Sequence, residues 1–314
     1  MRMLIRLFIV CTICACSFIA CNEAVETKKV TLPDEVFKQK WYAGNAELSS
    51  YELHQARYGE IRQGEAIIIF VSEDFSPDKF VKIDNPSESK DKVSVLKMNM
   101  AKTFLTGIYP YSMMLSVFKP ISKQGLEKSL KATCSSQEWC GHTFSQLQLR
   151  DNRYEWELQS YFESEAGARG LIDNAIAEDD TWNHIRINPS TLPTGKISMI
   201  PGLLWQRLSH VNAGSEEAMA SLSDTTLIAM PGTNAKVYSI HYPKFNRTLF
   251  IYFKNVFPFE ILGWEESYPD GFGPNKKMLT SKAILKKTTW LEYWKLNAVA
   301  DSSYRDSLQL MRHE

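Results

Sequence analysis

From Ala46 onward the chain is a succession of short runs rich in Tyr, Phe, Trp, Ile and Val, broken by polar or Gly/Pro punctuation. That pattern is the one antiparallel strands leave in a sequence, and helical periodicity is scarce beside it. The run Ala66-Ile-Ile-Ile-Phe-Val71 has no polar alternation, which predicts a strand covered on both faces. Arg62-Gln-Gly-Glu65 reads as the turn before it, and Arg150-Asp-Asn-Arg153 as a second tight turn, since Asp and Asn tolerate left-handed backbone angles. Lys82–Lys92 reads as an exposed loop. Trp182–Ile187 and Gly202–His210 read as strands, Phe259–Ser267 and Met278–Asn297 as a pair across the Gly271–Pro274 loop, and Ala166–Ile176 as the best helix candidate. The expected fold is mainly β: a large curved antiparallel sheet or open barrel with one or two short helices.

The N-terminus sets the compartment. Arg2 and Arg6 precede a 14-residue apolar run, Leu7–Ala20, too short for the roughly 20 residues that span a bilayer. It ends Phe18-Ile-Ala-Cys21, which resembles the lipobox of bacterial lipoproteins, in which Cys21 becomes the diacylated first residue of the mature chain. Residues 1–20 are read as a signal peptide, 21–40 as a lipidated tether and 41–314 as one mainly-β envelope domain, with room for an internal boundary at 170–180. Asn22 after the cysteine favours the outer over the inner membrane by analogy with enterobacterial sorting.

Removing residues 1–20 leaves 34 basic against 36 acidic side chains. Such a balance carries no concentrated basic surface for nucleic acid. Hydrophobic content of 44% suits a folded globular chain. Of six cysteines, Cys11, Cys14 and Cys16 leave with the signal peptide and Cys21 is blocked by lipid. Cys134 and Cys140 remain, and export permits a disulfide between them.

The densest reactive chemistry is Cys134-Ser-Ser-Gln-Glu-Trp-Cys140-Gly-His142. A Cys140 thiolate with His142 as base and Glu138 as orienting group would make a thiol enzyme or hydrolase. On a continuous strand these three residues share one face, but a cysteine nucleophile usually draws its histidine from a distant segment. A local disulfide or a buried thiol is the plainer account. Ligands at every second strand position diverge, and His-Glu-x-x-His, His-x-His and Gly-x-Ser-x-Gly are absent, so no metal, cofactor or serine hydrolase is expected. Arg57 and Glu60, near Glu52, Glu73 and Asp74, line either a polar cavity or a solvated sheet face. Trp139 and Trp264 stand beside polar residues and are the aromatic candidates for a ligand cleft, although most of the chain's aromatics are expected to fill core.

The strings Ser50-Tyr-Glu-Leu-His-Gln-Ala-Arg-Tyr-Gly-Glu60, Phe70-Val-Ser-Glu-Asp-Phe75, Thr106-Gly-Ile-Tyr-Pro-Tyr-Ser-Met113 and Ser136-Gln-Glu-Trp-Cys-Gly-His142 resemble a family of Bacteroidota lipoproteins often labelled "septum formation inhibitor Maf". The nucleotide pyrophosphatase chemistry of that label is not implied, because its Ser-x-Ser-Pro-Arg-Arg-like phosphate motif is missing. The expectation is a non-enzymatic, membrane-anchored binder or carrier of an apolar or glycan ligand. Its rivals are the Cys140/His142 enzyme and a structural partner of an envelope assembly.

Overall fold

A computed structural model describes residues 34–311 apart from Glu88, Lys123, Gln124, Leu126, Asn174 and Ala229. The signal peptide, Cys21 and His313 lie outside the described residues. The strands are β1 (Ala46–Arg57), β2 (Glu60–Ser76), β3 (Val81–Lys82), β4 (Val93–Thr106), β5 (Tyr109–Pro120), β6 (Lys131–Glu138), β7 (Gly141–Arg150) and β8 (Arg153–Ser160). They continue as β9 (Ala168–Ile172), β10 (Ile176–Ala177), β11 (Gly195–Ile200), β12 (Glu216–Thr225), β13 (Ala235–Tyr242), β14 (Arg247–Lys254), β15 (Ile261–Asp270) and β16 (Lys277–Leu291). Four short helices accompany them: α1 (Asp34–Trp41), α2 (Asp180–Ile187), α3 (Leu203–Ser209) and α4 (Tyr304–Ser307).

All sixteen strands join one sheet, ordered β10-β11-β12-β13-β14-β15-β16-β1-β2-β4-β5-β6-β7-β8-β9, with β3 paired to β2. Every pairing is antiparallel except β10 with β11. The two ends of this path are joined by residues 173–175 alone, so the last Cα of β9 and the first of β10 lie within about 14 Å of each other. Fifteen strands laid flat would be roughly 65 Å across. The sheet therefore rolls up, and it stays open between β9 and β10. The expected curved antiparallel sheet is present, and it runs unbroken through residues 168–172 within one compact unit.

Several local expectations are corrected. The first hairpin turns at Tyr58-Gly59, where φ is +61° and +75°, and Arg57 faces Glu60 across it. Gly64 lies instead within β2, where a Cβ would come within 2.2 Å of the Thr103 carbonyl oxygen. The Asp151-Asn152 turn is as expected, with φ of +47° and +62°. Trp182–Ile187 and Gly202–His210 are helical, in α2 and α3. Every residue of α2 is buried, so no amphipathic stripe betrays it, but Asp180 in its first turn and His184 and Arg186 in its last match the helix dipole. Ala166–Ile176 is not a helix: Gly167 takes φ of +65° and the chain enters β9. Within the segment read as a tether, α1 forms, and its Phe37, together with Trp41, is buried in the main core.

The unalternating run in β2 is covered on both faces. Ala66, Ile68 and Phe70 belong to the main core, while Ile67, Ile69 and Val71 pack with Leu48, Leu308 and Leu310 under the C-terminal segment. Ser50 Oγ donates to the Leu308 carbonyl, and the Glu65 carboxylate accepts from the Met311 N–H at 3.0 Å.

The rolled, open sheet wraps around α2 and α3 of residues 178–210, an insert that also contributes β11 to the sheet. Helix α2 packs on β4 and β5, and α3 on β5 and β6. Three buried ion pairs fix this insert to strands far apart in the sheet. Arg247 of β14 is held between Glu178 (2.5 Å) and Glu266 of β15 (2.5 Å). Lys119 of β5 reaches Asp180 at 2.8 Å, and Arg186 of α2 pairs with Glu47 of β1. Asn183 adds a 2.6 Å bond to the Leu96 carbonyl of β4.

Beside this cluster Asp179 accepts the Leu203 N–H at 3.0 Å, at the start of α3. Burial, then the charge of Glu178, pushes its carboxyl up to about 7. Between about pH 4 and pH 7 the folded chain keeps a proton that the unfolded chain gives up, so this group's contribution to stability falls as pH rises and is lost above about 7. His184 acts in the opposite sense: burial lowers it to about 4, so stability from this ring rises with pH up to about 6.5. The Asp179→Asn variant isolates the first effect. Its stability relative to the parent chain, measured by urea unfolding, is expected to improve by roughly 2–3 kcal/mol between pH 5 and pH 8.

Candidate functional site

At one rim of the rolled sheet, hairpin turns and the end of α3 leave a solvent-open cleft of about 690 Å³. Arg57 and Tyr58 come from the β1–β2 hairpin, Glu138 and Cys140 from the β6–β7 hairpin, and Phe272 and Lys276 from the β15–β16 connection. Glu165, after β8, and His210, after α3, form the opposite wall. Two of these residues take left-handed backbone angles: Tyr58, and His210 at φ +55° where it ends α3. Such angles cost a non-glycine residue energy, so surrounding contacts must hold them.

At Tyr58 those contacts are visible. Its ring stacks on Phe272 with centroids 5.5 Å apart, the Arg57 guanidinium lies 4.1 Å over it, and its hydroxyl is 2.7 Å from that of Tyr111. Tyr111 stacks on Phe104 at 5.0 Å, and Tyr109, 6.1 Å from Tyr111, extends the aromatic line to Trp139 at 6.2 Å. Arg57 is 4% exposed and donates to the Leu208 carbonyl at 2.6 Å, tying the end of α3 to the first hairpin.

The opposite wall is acidic and internally paired. Glu165 meets His210 Nδ1 at 2.5 Å, Ser160 Oγ at 2.8 Å and Arg207 at 3.6 Å. Burial pushes the Glu165 carboxyl up, but the hydrogen bonds from His210 and Ser160 and the charge of Arg207 outweigh it and hold it below the usual range. Glu138 accepts the Cys140 N–H at 2.7 Å, and Asp270 the Gly59 N–H at 2.6 Å.

The residues singled out in the sequence separate. Arg57 lines the cleft, but Glu60 is exposed and pairs with Arg62 at 2.6 Å. Trp139 is 69% exposed at the hairpin tip, whereas Trp264 is core, 5.0 Å from Tyr51 and 5.4 Å from Trp182. Glu52, Glu73 and Asp74 pair with His54, Lys97 and Lys92. Cys134 and Cys140 are both free: Cys134 is buried within β6 and Cys140 sits exposed beyond its end. The extended stretch of β6 from Cys134 to Glu138 carries the turn that holds Cys140 away from Cys134, beyond the roughly 4–7 Å a disulfide tolerates between Cα atoms.

Nor do Glu138, Cys140 and His142 share a face. A turn at Trp139-Cys140 intervenes, Glu138 points to the buried face, and His142 stands opposite Gln137 on the exposed one. The hydrogen bond to Glu138, and then its charge, push the Cys140 thiol up, the reverse of nucleophile activation. Among the described residues no group of three His, Cys, Asp or Glu side chains could hold a metal ion, and no helix is long and apolar enough to cross a membrane. The wall residues Tyr58, Glu165, His210, Asp270 and Phe272 were not singled out, since hairpins far apart in sequence bring them together.

The thiol geometry yields a direct test. At pH 7.5 iodoacetamide is expected to label Cys140 more slowly than free cysteine, Cys134 only after unfolding, and Glu138→Gln is expected to accelerate Cys140 severalfold; labelling of the parent chain faster than free cysteine would contradict this. No family model, curated protein or solved structure matches the chain.

Proposed function

We propose that this chain is a lipid-anchored protein of the cell envelope, at the outer membrane, that binds a glycan in the rim cleft without transforming it. The anchor reading rests on Phe18-Ile-Ala-Cys21 and on the resemblance to Bacteroidota lipoproteins. One observation carries the ligand: the cleft joins stacked aromatic rings, Tyr58 on Phe272, to a lining of side-chain hydrogen-bonding groups, among them Arg57, Glu165, His210 and Lys276. Flat rings suit the C–H faces of a sugar, and carboxylates, a guanidinium and an imidazole suit its hydroxyls.

Between a glycan and an apolar ligand, the packing of the rolled sheet supports the former. Its interior is filled by α2, α3 and their ion pairs, and the pocket beside Trp264 and Lys102 has a volume of only about 20 Å³, room for about one water. A lipid carrier needs an apolar lumen of several hundred Å³.

The test is calorimetric titration of residues 22–314 with a panel of neutral and acidic oligosaccharides. Saturable binding of at least one is expected, weakened about tenfold by Phe272→Ala, because this 65% exposed ring can be removed without disturbing the core. Absence of binding across the panel, or binding indifferent to Phe272, would contradict the reading.

A further inference from the structure

The charges in the cleft are unequally answered. Each of its three carboxylates is engaged within the protein: Glu165 by His210, Ser160 and Arg207, Glu138 by the Cys140 N–H, and Asp270 by the Gly59 N–H. Arg57 is different. Its guanidinium is buried, yet no carboxylate of the described residues lies within ion-pairing distance; its partners are the Tyr111 and Tyr58 hydroxyls and the Leu208 carbonyl, all neutral.

A guanidinium offers five N–H donors, and these contacts use one from Nε, one from Nη1 and two from Nη2. The second Nη1 proton remains. Buried charges are ordinarily paired, because desolvating an ion without an opposite charge is expensive. Here the cation without a carboxylate partner sits in the wall of the 690 Å³ cleft, whereas Arg247 and Arg186 in the core both have carboxylate partners. Lys276, at the same cleft, is exposed and has no acidic partner among the described residues.

We propose that Arg57 and Lys276 form an anion-binding pair, and that the glycan taken by the cleft carries an acidic group, a carboxylate or a phosphate. The inference rests on the glycan reading above. The acidic group meets the free edge of the Arg57 fork and the mobile ammonium of Lys276, while the sugar ring lies against Tyr58 and Phe272. Glu165, on the other wall and already paired with His210 and Arg207, then acts as an acceptor for hydroxyls.

A matched pair of probes tests this: an oligogalacturonate and its methyl ester, which differ in charge but not in ring or length, with a phosphorylated oligosaccharide of equal length as a third. The acid is expected to bind residues 22–314 at least tenfold more tightly than the ester. Lys276→Gln is expected to remove most of that preference by weakening the acid far more than the ester, and its exposed side chain makes it a mild change to the fold. Arg57→Lys, which keeps the charge but loses the planar fork, is expected to weaken the acid more than the ester, its folding checked by urea unfolding. Tighter binding of the phosphorylated probe than of the uronate assigns phosphate to the pair, and the reverse assigns carboxylate. Equal binding of acid and ester overturns the anion site while leaving the glycan reading standing. Binding of none of the three overturns both.

Discussion

Arg247 is the residue on which the rest of the molecule depends. It sits at the start of β14, 1% exposed, in phase with the core residues Leu249, Ile251 and Phe253, and its guanidinium is gripped by Glu178 and Glu266. A charge in that position is tolerable only because two carboxylates reach it, and Glu178 does so from the insert that fills the sheet. The same device recurs at Lys119 with Asp180 and at Arg186 with Glu47. A long antiparallel sheet twists but does not by itself choose how far to roll. Ion pairs from one short insert to β1, β5 and β14 prescribe that distance.

Filling the roll has a functional consequence. With α2 and α3 inside, a ligand has no lumen to enter, and the available concavity is displaced to the rim where α3 ends. The rim is coupled to the insert through Arg57, whose bond to the Leu208 carbonyl joins the hairpin β1–β2 to the last turn of α3. Thus one arginine both anchors the end of the insert and lines the cleft. The left-handed angles of Tyr58 and His210 fall on either side of it, consistent with a wall whose shape is imposed by contacts rather than by local preference.

The curved sheet was legible in the sequence because its strands are short runs rich in aromatic and β-branched residues broken by turn punctuation, as in β14, whose burial alternates residue by residue. The double coverage of Ala66–Val71 was legible for the complementary reason, the lack of alternation. Helices α2 and α3 were not, since a helix buried all round carries no stripe and short apolar runs fit either state. The first turn was misplaced by five residues because a tyrosine occupies its first left-handed position, where the contacts of Tyr58 hold it. Of the site, Arg57 was found from its place beside a buried strand. Its neighbours come from turns separated by up to two hundred residues, and no local signal brings those together. Arg247 did leave a signal: an arginine on the buried phase of a strand demands acidic partners, and Glu178-Asp-Asp180 was the densest acidic run available.

The most direct test of this account is the unfolding free energy of the Arg247→Met chain in urea, compared with that of a chain in which Glu178 and Glu266 are also changed to Gln. If the clamp holds the insert in the sheet, Arg247→Met alone costs about 3–5 kcal/mol by leaving two carboxylates buried and unpaired, and neutralising them restores much of that loss. A cost below about 1 kcal/mol, the value typical of an exposed ion pair, would contradict the central place given to Arg247.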